Sequence, residues 1–152
     1  MKIKVITGLE YVEPVIEIKC HEVTKEIENV VNTINKLMIN ITGKKDGETF
    51  ILKLDDIYYF EAVENHVYAY LESDVYEVEY KVADLNDLLM STTFIQTSRT
   101  TILNISKINK IKSIVNGRIL AVLINGEKQI ISRAYAREFK NKLMMKGEHN
   151  HG

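Results

Sequence analysis

The spacing of apolar residues changes several times along the chain, and each spacing predicts a different element. Over about 23–40, apolar residues recur at steps of three and four, which predicts an amphipathic helix. Apolar positions at 3–7 and 15–19 predict two short strands ahead of it. A Gly-rich stretch at 43–47 predicts a break. Residues 1–43 are therefore expected to form a small strand–strand–helix segment.

Beyond the break the apolar period becomes two, which is typical of half-buried strands. Tyrosine and β-branched residues dominate residues 50–80, as expected of antiparallel strands. Turns are predicted at Glu64-Asn65 and Ser73-Asp74, and a short helix at 82–90.

The C-terminal third carries a hairpin pattern. Asn-Gly pairs at 116–117 and 125–126 separate apolar runs and predict two-residue tight turns with positive φ at both central positions. A last helix is predicted from Ser132, followed by a disordered tail at 146–152. We therefore predict one mainly β (α+β) domain of antiparallel sheets over residues 44–145.

Composition adds a charge asymmetry to this outline. The formal net charge is -1, but residues 1–42 carry -1, residues 43–95 carry -8 and residues 96–152 carry +8. A near-neutral total therefore conceals an acidic middle and a basic C-terminal third. The single cysteine, Cys20, and the lack of an apolar run of membrane-spanning length indicate a soluble protein of the cytoplasm.

Motifs for catalysis and metal binding are lacking in the sequence. The four histidines are scattered without metal-ligand spacing, and phosphate-binding glycine motifs and nucleophile elbows do not occur. Asp55-Asp56 fits a turn better than a catalytic carboxylate pair. We expect no enzymatic activity, no cofactor, no metal site and no small-molecule substrate.

The basic third offers chemistry for nucleic acids. Arg99 lies in a run of polar residues at 96–101, where an Arg fork and hydroxyls can reach phosphates or base edges. Arg133 falls in the first turn of the last helix, where the helix dipole disfavours a cation, so that an external phosphate would suit it. Each cation taken alone also fits a solvated surface, as does His66 beside its turn.

An ordered set of motifs spread over about 100 residues resembles the LytTR family of bacterial DNA-binding domains. The motifs are Leu54-Asp55-Asp56-Ile57-Tyr58-Tyr59-Phe60-Glu61-Ala62 with Asn65-His66-Val67, Leu85 with Leu88-Leu89, Phe94-Ile95 with Ser98-Arg99, Asn104-Ile105, Asn116-Gly117-Arg118, and Asn125-Gly126-Glu127 with Ser132-Arg133. The resemblance implies an elongated fold of antiparallel sheets whose loops enter successive major grooves of double-stranded DNA, usually at paired direct repeats.

The resemblance also assigns contact residues. It implies DNA binding by Asn65 and His66, by the segment Ser98, Arg99 and Thr100, and by Ser132 and Arg133. Further cations of the basic third are expected as secondary phosphate contacts: Lys107, Lys110, Lys112 and Arg137. Many members carry an Arg where Gln96 stands, a His where Ser98 stands and often an Arg where Ala134 stands. The missing cations reduce the attraction to phosphates expected at these positions and bear on which base pairs are read.

The function expected from these observations is transcription regulation by sequence-specific DNA binding. About 43 residues precede the domain, too few for a receiver domain. The resemblance therefore implies the stand-alone type of regulator, and with it a membrane protein encoded alongside that restrains its activity. The alternative is an interaction or oligomerisation module that acts through the helix at 23–40, as a homodimer or with a partner, without specific DNA readout. That helix could equally pack on its own sheet.

Overall fold

The computed structural model describes residues 1–151, with side chains described through residue 144. Within these described residues, three helices and ten strands follow in the order α1 (Lys25–Met38), β1 (Ile41–Lys45), β2 (Glu48–Leu52), β3 (Tyr59–Val63), β4 (His66–Tyr70), β5 (Val75–Val78), α2 (Val82–Leu88), β6 (Phe94–Gln96), β7 (Thr101–Asn104), β8 (Ile108–Ser113), β9 (Ile119–Leu123), β10 (Lys128–Ile131) and α3 (Arg133–His151). Short 3-10 turns lie at Leu54–Asp56, Ile105–Lys107 and Val115–Gly117. Within the described residues, none of the helices is long and apolar enough to cross a membrane.

A seven-stranded antiparallel sheet in the order β2-β1-β5-β4-β3-β7-β6 forms the centre of the molecule. Because successive side chains of a strand face opposite sides, β3 contributes side chains to two hydrophobic cores. Phe60 packs with Ile102 and with Leu85 of α2 on one face, and Tyr59 packs with Leu103 on the other. The large sheet is therefore buried on both faces along its central strands.

A second, three-stranded sheet in the order β10-β9-β8 covers the Tyr59 face. Alternate residues of β9, Ile119, Ala121 and Leu123, are buried and pack with Phe139 of α3. Mainly antiparallel β structure with three helices confirms the predicted fold class.

The N-terminal strands are a wrong prediction. Residues 1–24 form neither strand nor helix, and apolar side chains such as Ile3, Val5 and Val15 are at least 81% exposed. An alternating pattern supplies a strand face but not the neighbouring strand that its N–H and C=O groups need.

The helix predicted over 23–40 is confirmed as α1. Thr24 caps it, because its side-chain oxygen accepts a hydrogen bond from the Ile27 N–H at 3.3 Å. Its apolar stripe is only partly covered, and every residue of α1 is exposed or half-buried. Asn35 Nδ2 donates to Ser91 Oγ at 2.9 Å, and Lys36 pairs with Asp55 at 3.3 Å, so polar contacts tie the helix to the domain.

The stretch 43–47 is a hairpin rather than a break between segments. Asp46 and Gly47 adopt positive φ of 52° and 78° and join β1 to β2, which the turn chemistry of an Asp-Gly pair favours. The strand β1 begins at Ile41, so the large sheet starts ahead of the expected boundary at residue 44.

The two Asn-Gly pairs form different loops. Asn116 and Gly117 have positive φ of 64° and 72°, as predicted. At the second pair only Gly126 does, with φ of 90°, and the prediction for Asn125 is wrong. There Gly126 N–H donates to Leu123 O and Leu123 N–H donates to Glu127 O, which gives a three-residue loop ending in a left-handed glycine.

The helix α3 begins at Arg133, as expected from Ser132, and extends through His151. The helix thus spans residues 146–151 of the predicted tail, and Gly152 lies outside the described residues. Lys142 anchors the helix, because its Nζ donates to the carbonyl oxygens of Phe94 and, at 3.4 Å, of Met90. Burial lowers the pKa of this ammonium to about 8.

Candidate nucleic-acid interface

Backbone hydrogen bonds bring the three predicted contact segments together at one end of the molecule. Ala62 N–H, close to the β3–β4 turn, donates to Thr100 O at 2.8 Å. Thr97 N–H donates to Thr101 O at 2.9 Å and closes the loop 98–100. Ser132 N–H, at the start of α3, donates to Thr97 O at 2.9 Å. The loop 98–100 is thus bonded on one side to β3 and on the other to α3.

Side-chain hydrogen bonds shape the loop 98–100. Ser98 Oγ accepts from the Thr100 N–H at 3.2 Å and lies 3.4 Å from Thr100 Oγ1. Gln96 Nε2 donates to Arg99 O at 3.5 Å. Arg99 and Thr100 are exposed, whereas Ser98 is half-buried. The loop therefore holds its form through its polar side chains and leaves the Arg99 guanidinium at the surface.

The β3–β4 turn places His66 opposite Val63 as the first residue of β4. Glu64 and Asn65 form the turn with positive φ of 48° and 69°. His66 Nδ1 lies 2.6 Å from Glu77 Oε1, and 57% of the His66 side chain is exposed. Glu61 and Glu77 face the same side of the sheet as His66, so this part of the site combines a histidine with carboxylates.

The start of α3 leaves Ser132 half-buried and Arg133 exposed. The stem of Arg133 lies over Gly117, where an added Cβ would be 3.1 Å from Arg133 Cγ. The loop between β8 and β9 therefore forms a fourth segment of this end. Arg118 belongs to this loop, with its Nε donating to Val115 O at 3.3 Å, and the expected contacts did not include it. Its place beside Asn116-Gly117 among the basic residues was the available signal.

The secondary cations do not all converge. Arg137 is exposed four residues after Arg133, on the same side of α3. Lys112 and Lys110 are exposed along β8 and face the side away from the buried residues of β9, with Lys112 closer to the loop at 115–117.

Lys107 lies at the opposite end of the molecule. Its Nζ lies 5.1 Å from the centre of the Tyr58 ring, and Tyr58 is five residues before Val63, or about 16 Å along the strand. The surface beside it is lined by Asp56, Glu72 and Asp74. The structure therefore does not bring Lys107 together with the other candidate residues.

The described part of the chain lacks two common kinds of site. Among the described residues, no group of three or more His, Cys, Asp or Glu side chains could hold a metal ion. No two helices follow each other directly in the described chain, so it holds no helix-turn-helix. Residues available for DNA contact belong to turns, loops and the first turn of α3.

Residues 47–144 match the family model of the LytTr DNA-binding domain. The chain belongs to the LytTR family. The family match covers every candidate contact residue, from Asn65 to Arg137, and this part of the chain is a DNA-binding domain.

The chain is also similar to individual members. It is 33% identical over 98 residues to the sensory transduction protein LytT of Enterococcus faecalis, a match that covers 64% of this chain and 40% of that protein. It is 23% identical over 145 residues to an uncharacterized HTH-type transcriptional regulator of Staphylococcus aureus, covering 94% of this chain and 98% of that one.

A solved LytTr DNA-binding domain from Bacillus cereus has a similar structure. Its TM-score is 0.65 at 25% identity, and the match covers 68% of this chain and 95% of that domain. The LytTR part is thus shared with a separately solved domain, while residues N-terminal to it are shared with relatives of similar length.

Proposed function

We propose that this protein regulates transcription by sequence-specific binding of double-stranded DNA through the end formed by the β3–β4 turn, the loop 98–100, the start of α3 and the loop 115–118. The observation that carries the proposal is the hydrogen-bonded chain from Ala62 through Thr97 and Thr100 to Ser132. It holds the exposed cations Arg99 and Arg133 on one surface, as binding to a polyanion requires.

The segments suit different parts of DNA. The planar guanidinium of Arg99 can donate two parallel hydrogen bonds to guanine O6 and N7 or to a phosphate, with the Thr100 hydroxyl beside it. Arg133 and Arg137, one turn apart on α3, suit phosphates, as do Arg118 and Lys112. Asn65 and His66, on a projecting turn, suit base edges. Action on chromosomal DNA implies the cytoplasm.

The test is a titration of fluorescent DNA from the region upstream of the protein's own gene, across a salt series, with random DNA as competitor. Arg99→Ala should weaken binding at least about tenfold. The fall of log affinity with log salt should become less steep, its slope decreasing in magnitude by about 1. Lys107→Ala removes a charge from the opposite end and should leave that slope unchanged. Equal effects of the two variants, or no preference over random DNA, would contradict the proposal.

We further propose that two copies bind paired direct repeats and contact each other through α1 and residues 1–24. In support, the stripe of α1 is partly uncovered, with Leu37 77% and Met38 66% exposed, and residues 1–24 add further exposed apolar side chains. Sedimentation of the full chain and of the chain lacking residues 1–38 should show a dimer only for the former. A monomeric full chain would contradict the dimer and favour the membrane-bound partner as the occupant of this face.

A further inference from the structure

The contact between His66 and Glu77 constrains the imidazole ring that the proposed function places at the DNA. Glu77 lies on β5 opposite Tyr68, so it shares the sheet face of His66, and its Oε1 is 2.6 Å from His66 Nδ1. An ionised carboxylate can only accept a hydrogen bond. The proton of this contact must therefore be on Nδ1, which leaves Nε2 as the ring atom with a free hydrogen-bonding position.

We propose that Glu77 is a positioning residue for DNA recognition, which fixes the ring of His66 so that Nε2, and not Nδ1, meets the DNA. This inference rests on the proposed contact of His66 with DNA. A carboxylate near DNA repels phosphates, so Glu77 opposes the electrostatic attraction that the cations of this end provide. Its contribution is to orientation, since a single ring atom at a fixed place distinguishes bases that a freely rotating imidazole would not.

The protonation state of the ring sets what Nε2 can recognise. In the neutral ring Nε2 is an acceptor and suits the amino group of adenine or cytosine in the major groove. In the charged ring it is a donor and suits guanine N7 or O6. The charged and titratable groups on the His66 face are Glu77 of β5, Glu79 directly after β5, Glu61 of β3 and Tyr68 of β4, with Lys44 of β1 opposite Glu77 and paired with Glu79. In either state Glu77 keeps Nδ1 occupied.

The first experiment needs no DNA. Nitrogen-15 NMR of the imidazole rings in the full chain should show a proton on His66 Nδ1 at every pH at which the fold is intact. In Glu77→Ala the neutral ring should gain the form that carries its proton on Nε2. Glu61→Gln removes a carboxylate from the same face without touching the ring and should leave the Nδ1 proton in place. A neutral wild-type ring with its proton on Nε2 would overturn the proposal.

The second experiment uses isosteric amides. The amide nitrogen of Gln takes roughly the place of Nε2 and that of Asn the place of Nδ1, so His66→Gln should retain more of the preference for the upstream DNA over random DNA than His66→Asn does. Glu77→Ala should reduce that preference about tenfold, and Glu61→Gln should not. In a His66→Ala background the Glu77→Ala change should have no further effect.

These outcomes separate the inference from the proposed function. If His66→Ala leaves DNA preference intact, His66 does not contact DNA and the contact itself is wrong. If His66→Ala matters while Glu77→Ala and Glu61→Gln act alike, Glu77 contributes charge alone and the positioning role is wrong. Thermal melting of each variant identifies any that fail to fold, and for those Glu77→Val, which suits a strand and cannot accept the Nδ1 proton, repeats the comparison.

Discussion

Two buried polar residues, Asn104 at the end of β7 and Thr97 ahead of that strand, differ in their side-chain hydrogen bonding. Asn104, 1% exposed, donates from Nδ2 to Ile57 O at 2.8 Å and accepts at Oδ1 from Thr93 Oγ1 and Ser106 N–H at 2.7 and 3.1 Å. Thr97 is fully buried, and its Oγ1 has no partner among the described residues. Asn104 therefore links three segments of the chain. The Thr97 hydroxyl is removed from water without a hydrogen bond from the described residues, and this lowers the stability of the fold.

The unpartnered hydroxyl predicts a stabilising substitution. Thr97→Val replaces Oγ1 by a methyl group of similar size, so the free energy of unfolding should rise by about 1 kcal/mol. Urea denaturation followed by circular dichroism measures it. Thr97→Ser keeps the hydroxyl and loses a methyl, and should lower that free energy by about 1 kcal/mol. A less stable Thr97→Val protein would show that the hydroxyl has a partner, such as water.

At the scale of elements, the sequence predicts structure where the deciding interactions are local. Hairpins such as β3–β4 are predicted by alternating apolar and polar residues on either side of two adjacent turn residues. The helix α1 is predicted by the spacing of its apolar residues and by its capping residue. The strands expected at 3–7 and 15–19 fail because a strand depends on a neighbour, which periodicity does not reveal. The residue pattern of 43–47 fits both a loop between segments and a hairpin turn. Only the pairing of β1 with β2 and β5 shows that it is a hairpin turn.

The β3–β4 turn carries a strained residue. Glu64 adopts φ of 48°, a conformation that costs most residues about 1–2 kcal/mol and that Asn tolerates better. Glu64→Asn should therefore raise the free energy of unfolding by about 1 kcal/mol. It should also raise DNA affinity, since a carboxylate leaves the proposed interface. Thermal denaturation and the fluorescent DNA titration measure the two effects.

The control for this turn separates charge from strain. Glu64→Ala removes the same carboxylate but keeps a residue that disfavours positive φ, so affinity should rise without the gain in stability. Equal stability of the two variants would mean that the turn is not strained by Glu64.

At the scale of the whole molecule, the proposed contact cations of the C-terminal third lie away from the acidic residues around Lys107, although Glu61, Glu64 and Glu77 lie at the same end as the cations. Exposed Arg99 and Arg133 lie at one end, and Asp56, Glu72 and Asp74 at the other. The resemblance supplied the proposed contact residues of the first end. Lys107 was grouped with them by its place in the sequence, but between β7 and β8 the chain carries it to the second end. Arg118 was not among the predicted contacts although it follows Asn116-Gly117 in the sequence, and the fold brings its loop against Arg133.

Buried ionisable groups on α3 and β3–β4 predict how the stability of the molecule depends on pH. Burial lowers the pKa of Lys142 to about 8, below its ordinary 10.5, so between these values the unfolded chain holds a proton that the folded chain has lost. Stability should therefore rise from about pH 8 upward. Burial, with nearby carboxylates, raises the pKa of Tyr58, Tyr59 and Tyr70 above 10, so the unfolded chain loses these protons first and stability should fall above about pH 10.

Urea denaturation at half-unit steps from pH 7 to 10.5 should show a maximum in the free energy of unfolding between pH 9 and 10. Lys142→Met should abolish the rise below that maximum while keeping the fall above it. A wild-type curve that declines steadily from pH 8 would contradict the burial of the Lys142 ammonium in the folded protein.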